Sequence, residues 1–453
     1  MAGPLVCVDF GSTFTKALLI DPADGALLAS ATHRTTIDTD VLAGLDACRA
    51  SLAEADPRAR TAQVLACSSA GGGLRIAVVG NEELVTAEAG RRVALSSGGR
   101  VVATISAADT PDFLPGLHSA RPDVVLLTGG TDGGNSRHLL GAARHLATTG
   151  SGGVPVVVAG NVAAREAASA ILAEVPHVVA DNIVPRIGVF APESARSAVR
   201  EMFLAHVIGG KQLSHRADFA AMVRGATPDL VLDGVSLLSS RISGDVAVVD
   251  IGGATTDVHS ALEVVADGPL SREVVAPVPL TRTVEADLGM RWSAPSTVRA
   301  GIDERVLDAD PELVAAAARR AADPAYLPGP GADPAELAAD VEIATIAAGI
   351  ALRRHCGRSR VVPGADGRVV ERSGKDLRRV ELLVGAGGVL RAATPDDVRR
   401  ILTGLPAAAG WQVPEAPDLV VDSDQVIFAA GLLLGEHPAA AHALVDRLVS
   451  RVA

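Results

Sequence analysis

The stretch VCVDFGSTFTKALLI, residues 6–20, decides how the rest of the chain is read. An apolar run reaches Asp9, the chain turns through Gly11, Ser12 and Thr13, and a second apolar run leaves past Lys16. This pattern predicts a strand, a tight turn and a returning strand. Folding alone requires neither a carboxylate at the strand tip nor a lysine behind the turn. Such a turn aims backbone N–H groups and two hydroxyls at one point, an anion cradle suited to phosphate oxygens. Asp9 would repel a phosphate, but it suits a hydrated Mg2+, which takes oxygen ligands and keeps several waters. Lys16 offers positive charge where a transferring phosphoryl group needs it. Taken alone, the segment also fits an ordinary hairpin with Asp9 capping its turn.

The pattern returns in VVDIGGATTDVHS, residues 248–260. Asp250 stands at the end of an apolar run, Gly252 and Gly253 allow close backbone approach, and Thr255, Thr256 and Asp257 open the second run. Two such hairpins suggest two related halves that each offer a strand–turn–strand to a shared site. Two cradles would grip the β- and γ-phosphates from both sides, with Asp250 or Asp257 orienting water or metal. A third piece, VELLVGAGGVLR (380–391), runs a strand into Gly385, Gly387 and Gly388 and then a helix. A dinucleotide fingerprint would place its third glycine at 390, where Leu390 stands, and would open its own βαβ unit. The segment suits a base and ribose lying on bare backbone, or is simply a glycine-rich turn. No Walker loop is present. GGKQ (209–212) has Ala205 and Gln212 where Gly and Ser/Thr belong, and SGKD (373–376) fails in the same way.

Bulk properties set the frame. At about 100–200 residues per domain, a chain of 453 residues holds two to four domains. A hydrophobic fraction of 48% supports sizeable cores, and 2% aromatics means that Ala, Val and Leu build them. The formal charge of −12 and the scarcity of stacking side chains argue against nucleic-acid binding. The only lysines are Lys16, Lys211 and Lys375. Cys7, Cys48, Cys67 and Cys356 make no C-x-x-C pair, so neither a zinc site nor a disulfide framework is indicated. No signal-peptide pattern or long apolar run appears, so a soluble cytoplasmic protein is expected.

Short Val/Ile/Leu runs alternate with Ala-rich helical stretches, which predicts α/β architecture. Strands are expected at 5–9, 16–21, 64–67, 75–79, 101–105, 123–128, 154–159, 177–180, 246–250, 256–260 and 380–384. Helices are expected at 39–55, 133–146, 161–173, 194–208, 311–321, 335–354, 395–403 and 424–435. YLPGPGADPAE (326–336) reads as a loop between helices, and 361–377 as a hairpin turning at Ala365-Asp366-Gly367.

The two Asp-x-Gly turns and Gly385-x-Gly387-Gly388, in that order, resemble the two phosphate motifs and the adenosine motif of the actin, hexokinase and heat-shock chaperone ATPase superfamily. DSDQVIFAAGLLLGE (422–436) sits where its last connecting helix would be, and small Ala429, Ala430 and Gly431 would permit close packing there. LLTGGTDGGN (126–135), DNIVPRIGVFAPESAR (181–196), VVDIGGATTDVHS and RTVEADLGMR (282–291) are more specifically similar to the MutL-type accessory proteins of coenzyme B12-dependent glutamate mutase and related aminomutases. These are unrelated to the mismatch-repair protein of the same name.

The resemblance implies a two-lobed actin-like (ribonuclease H-like) ATPase fold with an inserted α/β subdomain. One lobe would span 1–245 with the insertion at about 64–190, the second 246–425, and a C-terminal helix at 426–453 would pack back on the first. It implies ATP and Mg2+ as cofactors, with nucleotide between the lobes. Asp9, Asp250 and Asp257 would be the catalytic groups, Asp9 and Asp250 also the metal ligands. Gly11, Ser12, Thr13, Lys16, Gly252, Gly253, Thr255, Thr256, Gly385, Gly387 and Gly388 would contact nucleotide. The implied role is protection or reactivation of an adenosylcobalamin-dependent mutase whose subunits are the partners, with homo-oligomerisation an open expectation. A small-molecule kinase and a non-enzymatic actin-like scaffold stand as alternatives. Glu285 and Asp287 either reach metal-bound water or ribose, or are exposed acids. The 126–135 loop is either a nucleotide or partner loop, or a strand-to-helix turn capped by Asn135 or Asp132.

Overall fold

The computed structural model describes residues 3–70, 73–81, 83–108, 113–148, 153–208, 213–216, 218–263, 279–328, 332–364, 367–405 and 410–452. The chain divides into two units. One is formed chiefly by Met1–Gly234 with Phe428–Ala443, the other by Val235–Glu273, Pro279–Ile427 and Leu444–Ala453.

In the first unit, Leu5–Phe10, Phe14–Ile20 and Leu27–Arg34 form an antiparallel meander. Gln63–Ser68 runs parallel to Leu5–Phe10, and Val223–Ala226 runs parallel to Gln63–Ser68. In order of appearance these strands stand 3-2-1-4-5 across the sheet. The second unit repeats this order. Val246–Ile251, Thr256–Ala261 and Leu280–Glu285 form the meander, and Leu382–Ala386 and Asp418–Val421 add in parallel. The duplication expected from the repeated Asp-x-Gly turn is therefore a duplication of a whole sheet. The fold is the ribonuclease H-like α/β unit twice over, as the actin-like resemblance implies.

Each central strand is buried on both faces, which is why it reads as a continuous apolar run. Val6, Val8 and Phe10 pack with Leu42, Leu45 and Leu52 of helix Val41–Ala55. In the second unit Val249 and Ile251 pack with Ile343, Ile346 and Ile350 of helix Pro334–His355. Both helices start at an aspartate, Asp40 or Asp333, whose carboxylate accepts a first-turn N–H; such a cap contributes about 1 kcal/mol.

A separate parallel sheet stands between Ser68 and Val223. It is built from Leu74–Gly80, Gly99–Ser106, Val124–Leu127, Val156–Val158 and His177–Val179, ordered 2-1-3-4-5. Val78 and Leu126 face helices Glu88–Ser96 and Glu193–Met202, whereas Val79 and Leu127 face Leu114–Ala120, Arg137–Thr148 and Arg165–Ile171. This is the inserted α/β subdomain, with different limits from those expected. The strand at 64–67 belongs to the first sheet, because it pairs with Leu5–Phe10, and helix Glu193–Met202 beyond residue 190 covers one face of the inserted sheet.

Two further boundaries differ from expectation. The division expected at 245/246 falls at Gly234/Val235, inside helix Thr227–Ile242. The C-terminal segment is two helices, Val426–Leu433 and Pro438–Val449. The small residues of the first permit close packing. A Cβ on Gly431 would lie 1.9 Å from the Leu230 carbonyl oxygen, so only glycine lets this helix approach helix Thr227–Ile242 so closely. The expected hairpin is present as Arg358–Gly364 paired with Gly367–Ser373; Ala365 and Asp366 of its turn lie outside the described residues, as does GGKQ at 209–212. Among the described residues no helix is long and apolar enough to cross a membrane.

Candidate phosphate-binding turns

The first turn connects the two strands whose register sets Asp9 opposite Lys16. Gly11 N–H donates to the Phe14 carbonyl at 3.2 Å and closes the turn. A Cβ at Gly11 would lie 2.6 Å from that same oxygen, so glycine is required. Ser12 is exposed and Thr13 half-buried, which leaves the turn open to a ligand. Behind it, the Thr35 hydroxyl donates to the Gly11 carbonyl at 2.8 Å, and the Thr35 and Thr15 hydroxyls lie 3.2 Å apart.

Asp9 is only 4% exposed. Its Oδ1 accepts from the Thr227 hydroxyl at 2.6 Å, and Lys16 Nζ lies 3.6 Å from its Oδ2. The Cys67 thiol lies 3.7 Å from Oδ1. Burial, and then the charge of Asp9, push that thiol well above its ordinary range, so it stays protonated and is no nucleophile.

Thr227 was not among the residues the sequence pointed to. Its signal was the helix start Thr227-Pro228-Asp229, a hydroxyl followed by proline and an acid. The helix it opens is also clasped from the inserted subdomain. Arg196 Nη2 donates to Asp229 Oδ1 at 3.1 Å, and Arg200 donates to Asp229 Oδ2 at 2.5 Å and to Asp233 Oδ2 at 2.6 Å. One helix thus ties the carboxylate of the first turn to the insertion.

The second turn has the same backbone. Gly252 N–H donates to the Thr255 carbonyl at 2.9 Å, and a Cβ at Gly252 would lie 2.9 Å from that oxygen. Asp250 holds the register position of Asp9, but the residue opposite is Asp257. Arg282 balances this pair of carboxylates by donating to Asp257 Oδ1 through Nε at 2.9 Å and Nη2 at 2.5 Å. The Thr255 hydroxyl donates to Asp257 Oδ2 at 3.3 Å. Met290 and Arg291 N–H groups donate to the Gly252 and Gly253 carbonyls and pin the turn from the RTVEADLGMR segment. Thr256 is buried, and its hydroxyl has no partner among the described residues.

The glycine turn after Leu382–Ala386 stands beside the second turn, because that strand pairs in parallel with Val246–Ile251 and sets Ala386 against Asp250. Gly387 has φ of 112°, and a Cβ there would lie 2.3 Å from the Ile251 carbonyl oxygen. Gly385 packs under Leu390, while Gly388 is exposed with open space where a side chain would be. In the second unit, then, the glycine turn and the Asp-x-Gly turn share the carboxyl ends of adjacent parallel strands, where open α/β sheets bind ligands.

A protein-family model described as MutL protein matches residues 5–449. Protein MutL of Clostridium tetanomorphum is 32% identical over 464 residues, covering 98% of this chain and 99% of that protein. The chain belongs to the MutL family. Solved structures similar to this MutL chain include nucleotide-free acetone carboxylase, at 14% identity, TM-score 0.44, covering 95% of this chain and 70% of that one. Another is the activator of 2-hydroxyisocaproyl-CoA dehydratase from Clostridium difficile with bound ADPNP, at 9% identity, TM-score 0.30, covering 99% and 96%.

Two segments that carry the MutL likeness have structural duties. Glu285 and Asp287 do not stand free: Arg354 Nη1 donates to Glu285 Oε2 at 2.9 Å and to Asp287 Oδ1 at 2.8 Å, and Arg354 also holds Glu304. In the 126–135 loop, Asn135 Oδ1 accepts from Arg137 N–H and caps the next helix, while Asp132 Oδ1 accepts from Val162 N–H and Asn182 Nδ2. Among the described residues, no group of three or more His, Cys, Asp or Glu could hold a metal ion.

Proposed function

We propose that this MutL-family chain binds and hydrolyses Mg–ATP, and uses the reaction as an accessory protein to protect or reactivate an adenosylcobalamin-dependent mutase, glutamate mutase or a related aminomutase. The observation that carries the reading is the repeated turn. In each unit an Asp-x-Gly segment closes through the same glycine N–H bond, with the aspartate at the same register position. A hairpin that served folding alone would not need the same acid and the same glycine in both copies.

Mg2+ fits the first turn modestly. Asp9 offers one carboxylate, of which Thr227 uses one acceptor site, and Mg2+ is usually held by one or two carboxylates together with substrate phosphates and water. Asp9 and Asp250 are the residues that would hold it. When bound, the ion would neutralise charge on the phosphate oxygens. Lys16, salt-bridged to Asp9, would exchange that partner for a phosphate oxygen. The turn N–H groups would cradle the phosphates, and Gly387 and Gly388 would carry the adenosine. Asp257, doubly bonded by Arg282, acts in this reading as an organiser of its turn, with Asp250 nearer to the chemistry.

The reading predicts ATP turnover that rises when inactive mutase is added. Absence of heat when saturating Mg–ATP is titrated into the protein would remove it. Stoichiometric phosphoryl transfer to a metabolite would replace it with a kinase.

A further inference from the structure

The segments 126–135 and 181–196 lie outside the Asp-x-Gly turns, and hydrogen bonds bring them together on the inserted subdomain. Asp132 N–H donates to the Pro185 carbonyl at 3.0 Å. Its Oδ1 accepts from Val162 N–H at 3.0 Å and from Asn182 Nδ2 at 2.9 Å. Asn161 Oδ1 accepts from Gly133 and Ala163 N–H. Three loops are thereby laced into one piece.

The apolar residues of 183–190 divide into two sets. Ile183 and Val184 are buried in the core and Phe190 packs against it, whereas Ile187 is 84% exposed and Val189 39%. Between these two feet the chain closes on itself. Val189 N–H donates to the Arg186 carbonyl at 3.0 Å, and Ala191 N–H to the Ile183 carbonyl at 2.9 Å. Gly188, third of the four residues, has φ of 77°, the left-handed value that a type II turn places there. Ile187 is held at the tip of this turn. Val162, 46% exposed, stands on the bonded neighbouring loop beside exposed Ala163, with Gly133 and Gly134 exposed on the third. One exposed apolar side chain is ordinary; three on a braced platform flanked by glycine and alanine mark a contact surface. Because the turn is already ordered, docking through it has little conformational entropy to lose.

Charge selects the occupant. The arginines before and after the turn are committed, Arg165 to Asp181 and Arg196 to Asp229 and Asp233, but the exposed Arg186 has no ion pair among the described residues. A second copy meeting this tip across a two-fold axis would set Arg186 against Arg186. An apolar pocket with carboxylates on its rim fits instead. The segment also leads to the first turn. Helix Glu193–Met202, which follows it, holds Asp229 through Arg196 and Arg200, and Thr227 of that same helix start bonds Asp9. A partner that raises ATP turnover needs such a connection.

We propose that the Arg186–Val189 turn, with Val162 beside it, docks the mutase by inserting Ile187 into an apolar pocket rimmed by Asp or Glu. The identity of the partner rests on the accessory function proposed above.

The test is calorimetric titration of glutamate mutase holoenzyme, inactivated by turnover, into the full chain with Mg–ADP present throughout. Wild type binds, and Ile187→Asp weakens binding at least about 30-fold, the loss of a central apolar anchor. Arg186→Glu weakens it about tenfold, and most at low salt. Both side chains lie outside the core and the Asp-x-Gly turns, so melting temperature and basal ATP turnover stay at wild type. Binding of both variants as tightly as wild type overturns the docking surface and leaves the accessory function standing. No binding by wild type overturns both, and wild-type affinity in Arg186→Glu alone overturns the acidic rim. If Ile187→Asp instead abolishes self-association of the chain in sedimentation, the occupant is a second copy and the proposal falls.

Discussion

The two Asp-x-Gly turns share a backbone and differ in charge. Gly11 and Gly252 close their turns on Phe14 and Thr255 in the same way, and Asp9 and Asp250 stand at the same register position. Opposite Asp9 is Lys16; opposite Asp250 is a second acid, Asp257. Like charges directly across a strand pair destabilise it, and the second turn offsets this with Arg282 from the next strand. The first turn carries its counter-charge on a partly exposed lysine, whereas the second carries it on the nearly buried Arg282. The turn backbone is the same in both units, and the counter-charge beside it is partly exposed in one and nearly buried in the other.

If that contrast holds, the largest effect falls on the first turn. Asp9→Asn is expected to lower steady-state ATP turnover by about 10²–10³-fold, the loss typical of removing one preorganised charge contact from an active site. Its melting temperature should stay close to wild type. Wild-type turnover in this variant would take Asp9 out of the site.

The second turn should fail in the opposite way. Asp257→Asn removes the carboxylate that accepts two bonds from the Arg282 guanidinium, which is 6% exposed. A loss of about 1–3 kcal/mol in chemical denaturation is expected, because the charge-assisted bonds to a nearly buried guanidinium become bonds to a neutral amide. Adding Arg282→Met should restore most of it. If the double variant is no more stable than the single, the bracing role is wrong.

Thr227→Val removes the hydroxyl that orients Asp9, and an effect of about tenfold on kcat is expected with little change in KM. Thr227→Ser should rescue it. An equal loss in both parameters would mean that Thr227 serves binding in general.

The smallest effect is a pH dependence confined to the second unit. Burial, with Lys375 and His259 nearby, holds His355 well below its ordinary value of 6.5. Its ring bonds to the Ser260 and Thr283 hydroxyls, and no acid is among its partners within the described residues. As pH falls through about 6.5, the unfolded chain gains a proton that the native state refuses, so this contribution is full above that pH and declines below it. Unfolding midpoints between pH 7.5 and 5.5 should fall with acid, and less steeply in His355→Gln.

What the sequence disclosed follows from which residues carry a local pattern. The central strands, apolar but for Asp9 and Asp250, were legible, and so were both Asp-x-Gly turns. Four strands were not: Leu27–Arg34, Val223–Ala226, Leu280–Glu285 and Asp418–Val421. All four are sheet edges. An edge strand is half-solvated and admits polar residues, as THR at 32–34 and TRT at 281–283 show, so its alternation is weak. Thr227 and Arg282 were hidden for a different reason. Each acts on an aspartate distant in sequence, and only the folded sheets bring the partners together. The start of the insertion was misplaced because Gln63–Ser68 has the same apolar signature whichever sheet it joins.

The central claim is that both turns bind the nucleotide. Calorimetric titration of Mg–ATP into wild type, Gly11→Val and Gly252→Val tests it most directly. At each glycine a side chain would press on the carbonyl that closes the turn. The account predicts binding by wild type and a loss of at least about 100-fold in each variant, or roughly 2.7 kcal/mol. Wild type that takes up no ATP, or either variant that binds as wild type does, would contradict it.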